Sequence, residues 1–199
     1  MDTLNRLVDA LRCLPGVGPK SAQRMVYHLL QYQRQKGLNL AACLEKAMNN
    51  IKHCQRCNNF SEQDLCSLCS NTSCDATTLC VVENPAGISA IEQSAAFKGR
   101  YFVLMGKISP LDGLGPEEIG LPKLKQLILD ENIKELILAL SPSVEGKTTM
   151  HFISQLIDNK QVHISQLAHG IPSGGDLELL DGNTISSALR NRALIHATE

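Results

Sequence analysis

Apolar residues recur at helical spacing through the first fifty positions of the chain. Leu4, Leu7, Val8 and Leu11 mark a helix over 3–13, which Pro15 and Gly16 stop. Ala22, Met25, Val26, Leu29 and Leu30 mark a second over 19–31, with Pro19 suited to its first turn. Leu40, Leu44, Ala47, Met48 and Ile51 predict a third over 39–51 with these five residues inward. From 53 to 80 all periodicity is lost, and polar residues crowd around cysteines. Short β-rich runs then alternate with helical ones: strands are expected at 79–82, 101–105, 136–140 and 162–164, helices at 86–93, 121–130 and 148–158. A Gly-rich stretch over 170–181 leads into a last helix at 184–192. Strand and helix in alternation predict an α/β fold, a parallel sheet flanked by helices, behind a small helical module.

Composition narrows the class. With 43% hydrophobic and 20% charged residues the 199-residue chain reads as a globular protein. It has no apolar run of the roughly 18 residues that a membrane span needs. The first ten positions, broken by Asp2, Arg6 and Asp9, do not read as a signal peptide, so a cytoplasmic location is expected. The net charge of −1 conceals an asymmetry. Residues 1–60 hold nine Lys and Arg against three acids, and the remainder ten against seventeen. A basic front on an acidic body suggests a polyanion for the first and a basic protein for the second, although such charges also serve simply to solvate helix faces.

Cys54, Cys57, Cys66 and Cys69 form two C-x2-C pairs, the most specific pattern in the chain. Each pair on a tight turn can aim two thiolates at one ion, and two such turns give a closed tetrahedral shell, which favours one structural Zn²⁺ per chain. Disulfides fit poorly with a reducing cytoplasm. His53 is the competing ligand candidate, and Cys13, Cys43, Cys74 and Cys80 read as core thiols.

Between the first two helices runs Leu14-Pro15-Gly16-Val17-Gly18-Pro19-Lys20-Ser21-Ala22. Gly16 and Gly18 allow a sharp hairpin with bare N–H groups beside a helix N-terminus, while Lys20 and Arg24, four apart, lie on one face. Such a site meets DNA phosphates rather than base edges. An ordinary Gly-rich helical connection is the plain alternative.

That string, with the preceding Leu11-Arg12-Cys13 and the cysteine module after it, closely resembles the RecR family of recombination proteins. The resemblance extends through Cys80-Val81-Val82-Glu83, Gly99-Arg100-Tyr101-Phe102-Val103-Leu104, Ser109-Pro110-Leu111-Asp112-Gly113 and Ala168-His169-Gly170-Ile171-Pro172, and so covers nearly the whole chain. It implies a helix-hairpin-helix DNA-binding module over 1–53, a four-cysteine zinc finger over 54–69, a Toprim domain over 78–173 and a carboxy-terminal tail over 174–199. It further implies a non-catalytic DNA-repair protein that binds single- and double-stranded DNA without sequence preference. Such a protein assembles as a ring-like tetramer and acts with RecO, in some settings RecF, to help RecA displace single-strand binding protein. The family's DNA-contacting basic pair falls on Lys20 and Arg24, its zinc ligands on the four cysteines, and its partner-binding acidic position on Glu145.

Two catalytic readings stand beside this one. Catalytic Toprim domains hold Mg²⁺ with a Glu after one strand and Asp-x-Asp after a later one. Glu83 matches the first, but Ser141-Pro142-Ser143 stands where the aspartates belong, leaving Asp112 as a substitute from another loop. Ser141 to Thr148 also looks like a P-loop whose first glycine is replaced, with 177–181 resembling its acidic partner strand. Pro142 lacks an N–H, and Glu145 would face the phosphates, both of which count against an NTPase.

Overall fold

The computed structural model describes residues 2–157, 162–168, 170–172 and 174–192. The end of the helix expected over 148–158, His169 of the family-like string and the last part of the tail lie outside the described residues. Two compact units divide the chain, Met1–Ile51 and Lys52–Glu199.

The first unit consists of α1 (Thr3–Leu11), α2 (Pro19–Tyr32) and α3 (Arg34–Asn50). Gly18 is the extended N-cap of α2 and Pro19 fills its first turn, where a missing N–H costs nothing. Helix α3 begins earlier than periodicity predicts. Its first turn, Arg34 to Gly37, is polar and carries no apolar repeat that could mark the start. Its inward face is corrected too. Leu40, Leu44, Met48 and Ile51 are exposed, and only Ala22 and Val26 are buried among the residues of the three helices. Three short helices do not make enough surface to cover a third apolar face.

The second unit opens with β1 (Lys52–His53), antiparallel to β2 (Phe60–Ser61), and the single turn α4 (Ser67–Ser70). The sheet domain follows: β3 (Asp75–Val82), α5 (Pro85–Ser94), β4 (Gly99–Val103), α6 (Leu121–Asp130), β5 (Glu135–Ala139), α7 (Val144–Leu156), β6 (His163–Gln166) and α8 (Gly182–Arg190). The strands lie in the order β4-β3-β5-β6, all parallel, as the alternation predicted. Side chains alternate across β3. Leu79 and Val81 enter a core with Phe102, Leu124, Leu136 and Ile153, while Cys80 and Val82 face Ile88, Tyr101 and Val103. Residues of α6 and α7 contribute to the first core and Ile88 of α5 to the second. Strand order therefore reverses between β3 and β5, and in such sheets the crevice beyond the strands' carboxyl ends is where ligands bind.

Helix α7 starts at Val144, ahead of the expected 148, because the Ser143 hydroxyl caps it by accepting from the Gly146 N–H at 3.1 Å. Gly146 has no substitute here: a Cβ would run into the Ser141 carbonyl oxygen. The segment read as an acidic strand end is instead a 3-10 turn, Leu177–Leu179. Asp181 follows it as the N-cap of α8, accepting from the Asn183 and Thr184 N–H groups. A carboxylate that caps a helix two residues on suits a turn better than a strand.

A polar clamp ties the cysteine module to the sheet. The Arg56 guanidinium grips Glu131 with two donors, one at 2.7 Å, and Arg100 adds a third at 3.2 Å. Lys123 donates to the Cys54 carbonyl at 2.8 Å, and the Val103 N–H to that of Cys57 at 2.9 Å. Asn58, in the left-handed region at φ 64°, reaches the Val103 carbonyl at 2.9 Å. Burial works against the Glu131 carboxylate, but hydrogen bonds and charge from Arg56, then Arg100, outweigh it and hold its pKa below the ordinary value. A carboxylate so depressed stabilises the fold fully above its unfolded pKa of about 4.3 and loses that contribution as pH falls through the folded value. Glu131→Gln should therefore cost about 1–3 kcal/mol at pH 7, with the gap to wild type closing below about pH 4.3. Paired urea melts across pH measure this; a gap that stays constant into acid would show that the clamp is not electrostatic.

Candidate functional site

Cys54 directly follows β1, Cys57 lies past the turn after it, Cys66 is the N-cap of α4 and Cys69 sits within that turn of helix. Their sulfurs all lie within 4.8 Å of one another, with Cys54, Cys57 and Cys66 buried. Tetrahedral Zn–S bonds of about 2.3 Å place thiolates about 3.8 Å apart, and the Cys57 and Cys66 sulfurs are at 3.5 Å. Thiols so crowded do not ionise independently. A hydrogen bond with Cys57 pulls the Cys69 thiol below its ordinary pKa, and the same bond pushes Cys57 up. A divalent cation removes the conflict by taking all four as thiolates, and the four cysteines fit a structural zinc ion. The Cys66 N–H already points at the Cys54 sulfur at 3.4 Å and Arg56 at the Cys69 sulfur at 3.8 Å, an outer shell suited to excess negative charge.

His53 is turned to another task, its Nδ1 lying 3.0 Å from the Asn58 carbonyl oxygen. Of the remaining cysteines only Cys80 is a buried core thiol. Cys74 is partly exposed, and Cys13 and Cys43 are exposed, which corrects the expectation for them. Cys13 sits in the turn after α1 and Cys43 on the uncovered α3, where no core exists to enclose them.

In the hairpin, Gly16 has φ +77°, a conformation that glycine alone adopts freely, and the Val17 N–H closes a turn onto the Leu14 carbonyl at 3.2 Å. A side chain at Gly16 or Gly18 would meet none of the described residues. No side chain caps α2, and its first backbone bond is from Ala22 to the Gly18 carbonyl, which leaves the Lys20 and Ser21 N–H groups at its N-terminus uncapped. Lys20 and Arg24 are exposed one turn apart, and neither makes an ion pair among the described residues. Bare donors, a helix N-terminus and two free cations make a surface suited to phosphate.

The crevice between β3 and β5 holds Glu83 and Ser141 to Ser143, with Lys107 among them, a residue that motif reasoning passed over. The Ser141 N–H donates to one Glu83 oxygen and the Lys107 ammonium lies 3.9 Å from the other. Lys107 also reaches the Ser141 and Ser143 hydroxyls, each at 3.3 Å. Asp112 accepts from Ser109 at 2.6 Å within its own 3-10 turn. Nor does the P-loop-like segment form a cradle: the Ser141, Gly146 and Lys147 N–H groups are spent on Glu83 and Ser143. Glu145 stands exposed in the first turn of α7, its carboxylate held below the usual range by its own backbone N–H and the Ser143 hydroxyl. Val144 beside it is 78% exposed.

Protein purified without chelator should carry one zinc per chain, released when thiols are titrated with a mercurial. Cys57→Ser should lower both zinc content and thermal stability, since the binding energy of a structural zinc is folding energy. Full-length folded protein with no zinc by elemental analysis would overturn this.

Comparison with known proteins converges with this geometry. Residues 4–48 match the family model described as RecR, helix-hairpin-helix; 51–71 that of the RecR four-cysteine zinc finger domain; 77–168 the Toprim domain; and 170–193 the RecR C-terminal model. Proteins named recombination protein RecR from Legionella pneumophila strains Corby, Lens and Paris are each 73% identical over 196 residues, spanning 98% of this chain and 100% of theirs. With four family modules in order and identity of this degree over nearly its full length, the chain belongs to the RecR family of recombination proteins.

Proposed function

We propose that the chain is a non-catalytic mediator of recombinational repair that grips DNA through its amino-terminal hairpin and receives a protein partner on its Toprim face. The observation that carries this reading is the hairpin: uncapped N–H groups at the start of α2 beside two exposed, unpaired cations, Lys20 and Arg24. Contacts of that kind grip the phosphate backbone and ignore sequence, which suits a protein that acts on gaps wherever they arise. Two cations neutralise about two phosphates, for a salt slope near −1.8, too few for tight binding by one copy. Joining copies in a ring, as the family resemblance implies for a tetramer, raises avidity by about 10² to 10⁴ without new contacts.

For the partner, the reading rests on Glu145 and its exposed apolar neighbour Val144, on a body whose charge balance from 61 to 199 is acidic. The partner implied by the resemblance is RecO, with RecF in some settings, and the outcome is loading of RecA onto single-stranded gaps. Against a nuclease or primase stands the crevice itself, where serines replace the two carboxylates that a hard cation requires. Against an NTPase stands the loop whose N–H groups are already spent. Among the described residues no helix is long and apolar enough to cross a membrane, and a cytoplasmic site of action fits the role.

Lys20→Ala combined with Arg24→Ala should weaken binding to every DNA sequence alike and flatten its salt dependence by about 1.8 slope units for each copy engaged with the DNA, with zinc content and oligomeric mass unchanged. Fluorescence anisotropy at several salt concentrations measures it, and wild-type affinity and slope in the double variant would move the DNA site elsewhere. Glu145→Lys should reduce capture by immobilised RecO while DNA binding stays intact; capture indifferent to the reversal would refute the assigned face.

A further inference from the structure

Catalytic Toprim domains hold a divalent metal in the crevice at the carboxyl ends of the strands that correspond to β3 and β5, and the residues of this chain there do not fit one. They fit an ammonium. The oxygens around the Lys107 nitrogen come from three points of the domain: Glu83 after β3 at 3.9 Å, Ser141 after β5 at 3.3 Å, and Ser143 at the cap of α7 at 3.3 Å. Two of the ammonium's donors go to neutral hydroxyls, and the Glu83 carboxylate stands beyond hydrogen-bond reach but close enough to balance its charge. A divalent ion in the same place would find one carboxylate, Glu83, facing it directly, with Glu145 reaching only as far as the Ser143 hydroxyl, where hard cations favour several charged oxygens in direct contact.

We propose that Lys107 is the built-in cation of this crevice, holding by its ammonium the position that a divalent metal takes in catalytic Toprim centres and thereby closing the centre to metal. The lysine is held there by backbone design. Met105 at φ 58° and Gly106 at φ 151° turn the chain sharply after β4, and the Gly106 N–H bonds the Glu83 carbonyl at 2.9 Å. On the other side the Ile108 N–H donates at 2.9 Å to the hydroxyl of Thr149, a fully buried residue that itself donates to the Glu145 carbonyl at 2.7 Å. Residues 106 and 108 are thus pinned on both sides of Lys107, and its side chain is only 31% exposed. One side chain so placed balances the Glu83 charge and joins the ends of β3 and β5 to the start of α7, as a metal would, without Lewis acidity or a bound water to activate.

The test restores the carboxylates with and without the lysine, using zinc-loaded full-length protein and Mn²⁺ as the probe, read by the loss of the free-ion electron paramagnetic resonance signal. Wild type should bind no Mn²⁺ in a Glu83-dependent manner. The Ser141→Asp, Ser143→Asp variant should bind none either, because the ammonium then pairs with the added carboxylates. Adding Lys107→Met to that pair should open the site to one ion per chain, lost again with Glu83→Gln. Glu83-dependent binding by wild type, equal binding by the variants with and without Lys107, or no binding by a folded triple variant would each overturn the proposal. Should the triple variant not fold, denaturant midpoints of Lys107→Met, Glu83→Gln and their combination decide it. Together the two changes should shift the midpoint by less than the sum of the single shifts, and strict additivity would overturn the proposal.

Discussion

The sheet domain is arranged around β3, a strand paired in parallel on both edges and, from Leu79 to Val82, buried on both faces. A parallel strand in that position needs helices above and below it, which fixes α5 on one side and α6 and α7 on the other. It also fixes where polar chemistry can collect. With β4 on one edge and β5 on the other, the connections leave in opposite directions and a crevice opens at the carboxyl ends. Glu83 stands at that opening because it is the residue just after the strand, and Lys107, Ser141 and Ser143 meet it from the loops that the crossover spreads apart.

Charge balance is the second theme, and it is met twice by different means. Four thiols within 4.8 Å call for a cation and fit zinc, with Arg56 leaning on one sulfur and reaching at the same time to Glu131. The crevice answers the Glu83 carboxylate with a lysine from the same chain. In the first case the positive charge comes from outside the chain; in the second the fold carries its own. The hairpin of the small unit is the opposite case: its cations have no partner among the described residues, and an outside anion is what they suit.

Much of this was legible in the sequence because it is local. The change of hydrophobic period marks the sheet, the paired C-x2-C spacing marks the metal centre, and two glycines with Lys20 and Arg24 mark the hairpin. What was not legible depends on residues that meet only in the folded chain. Arg56 and Glu131 are 75 positions apart, and neither sits in a pattern. Lys107 is one lysine in an irregular loop, with no spacing to give away its role. The start of α7 was set too late for another reason: 141–148 lacks an apolar repeat, and only the hydrogen bond from the Gly146 N–H to the Ser143 hydroxyl marks where the helix begins. Helix α3 began early and its face lay open because an apolar repeat predicts which residues share a side, not whether anything covers it.

Gly146 divides the first turn of α7 into a part that can drift and a part that cannot. No larger residue fits against the Ser141 carbonyl, so that codon is held by the backbone alone. Val144, Glu145, Lys147 and Thr148 around it are exposed, and a new side chain at any of them meets solvent first. Selection can therefore rewrite the surface that another protein would see, residue by residue, while the helix that presents it keeps its place. A lineage could exchange one binding partner's variant for another's without passing through an unfolded ancestor.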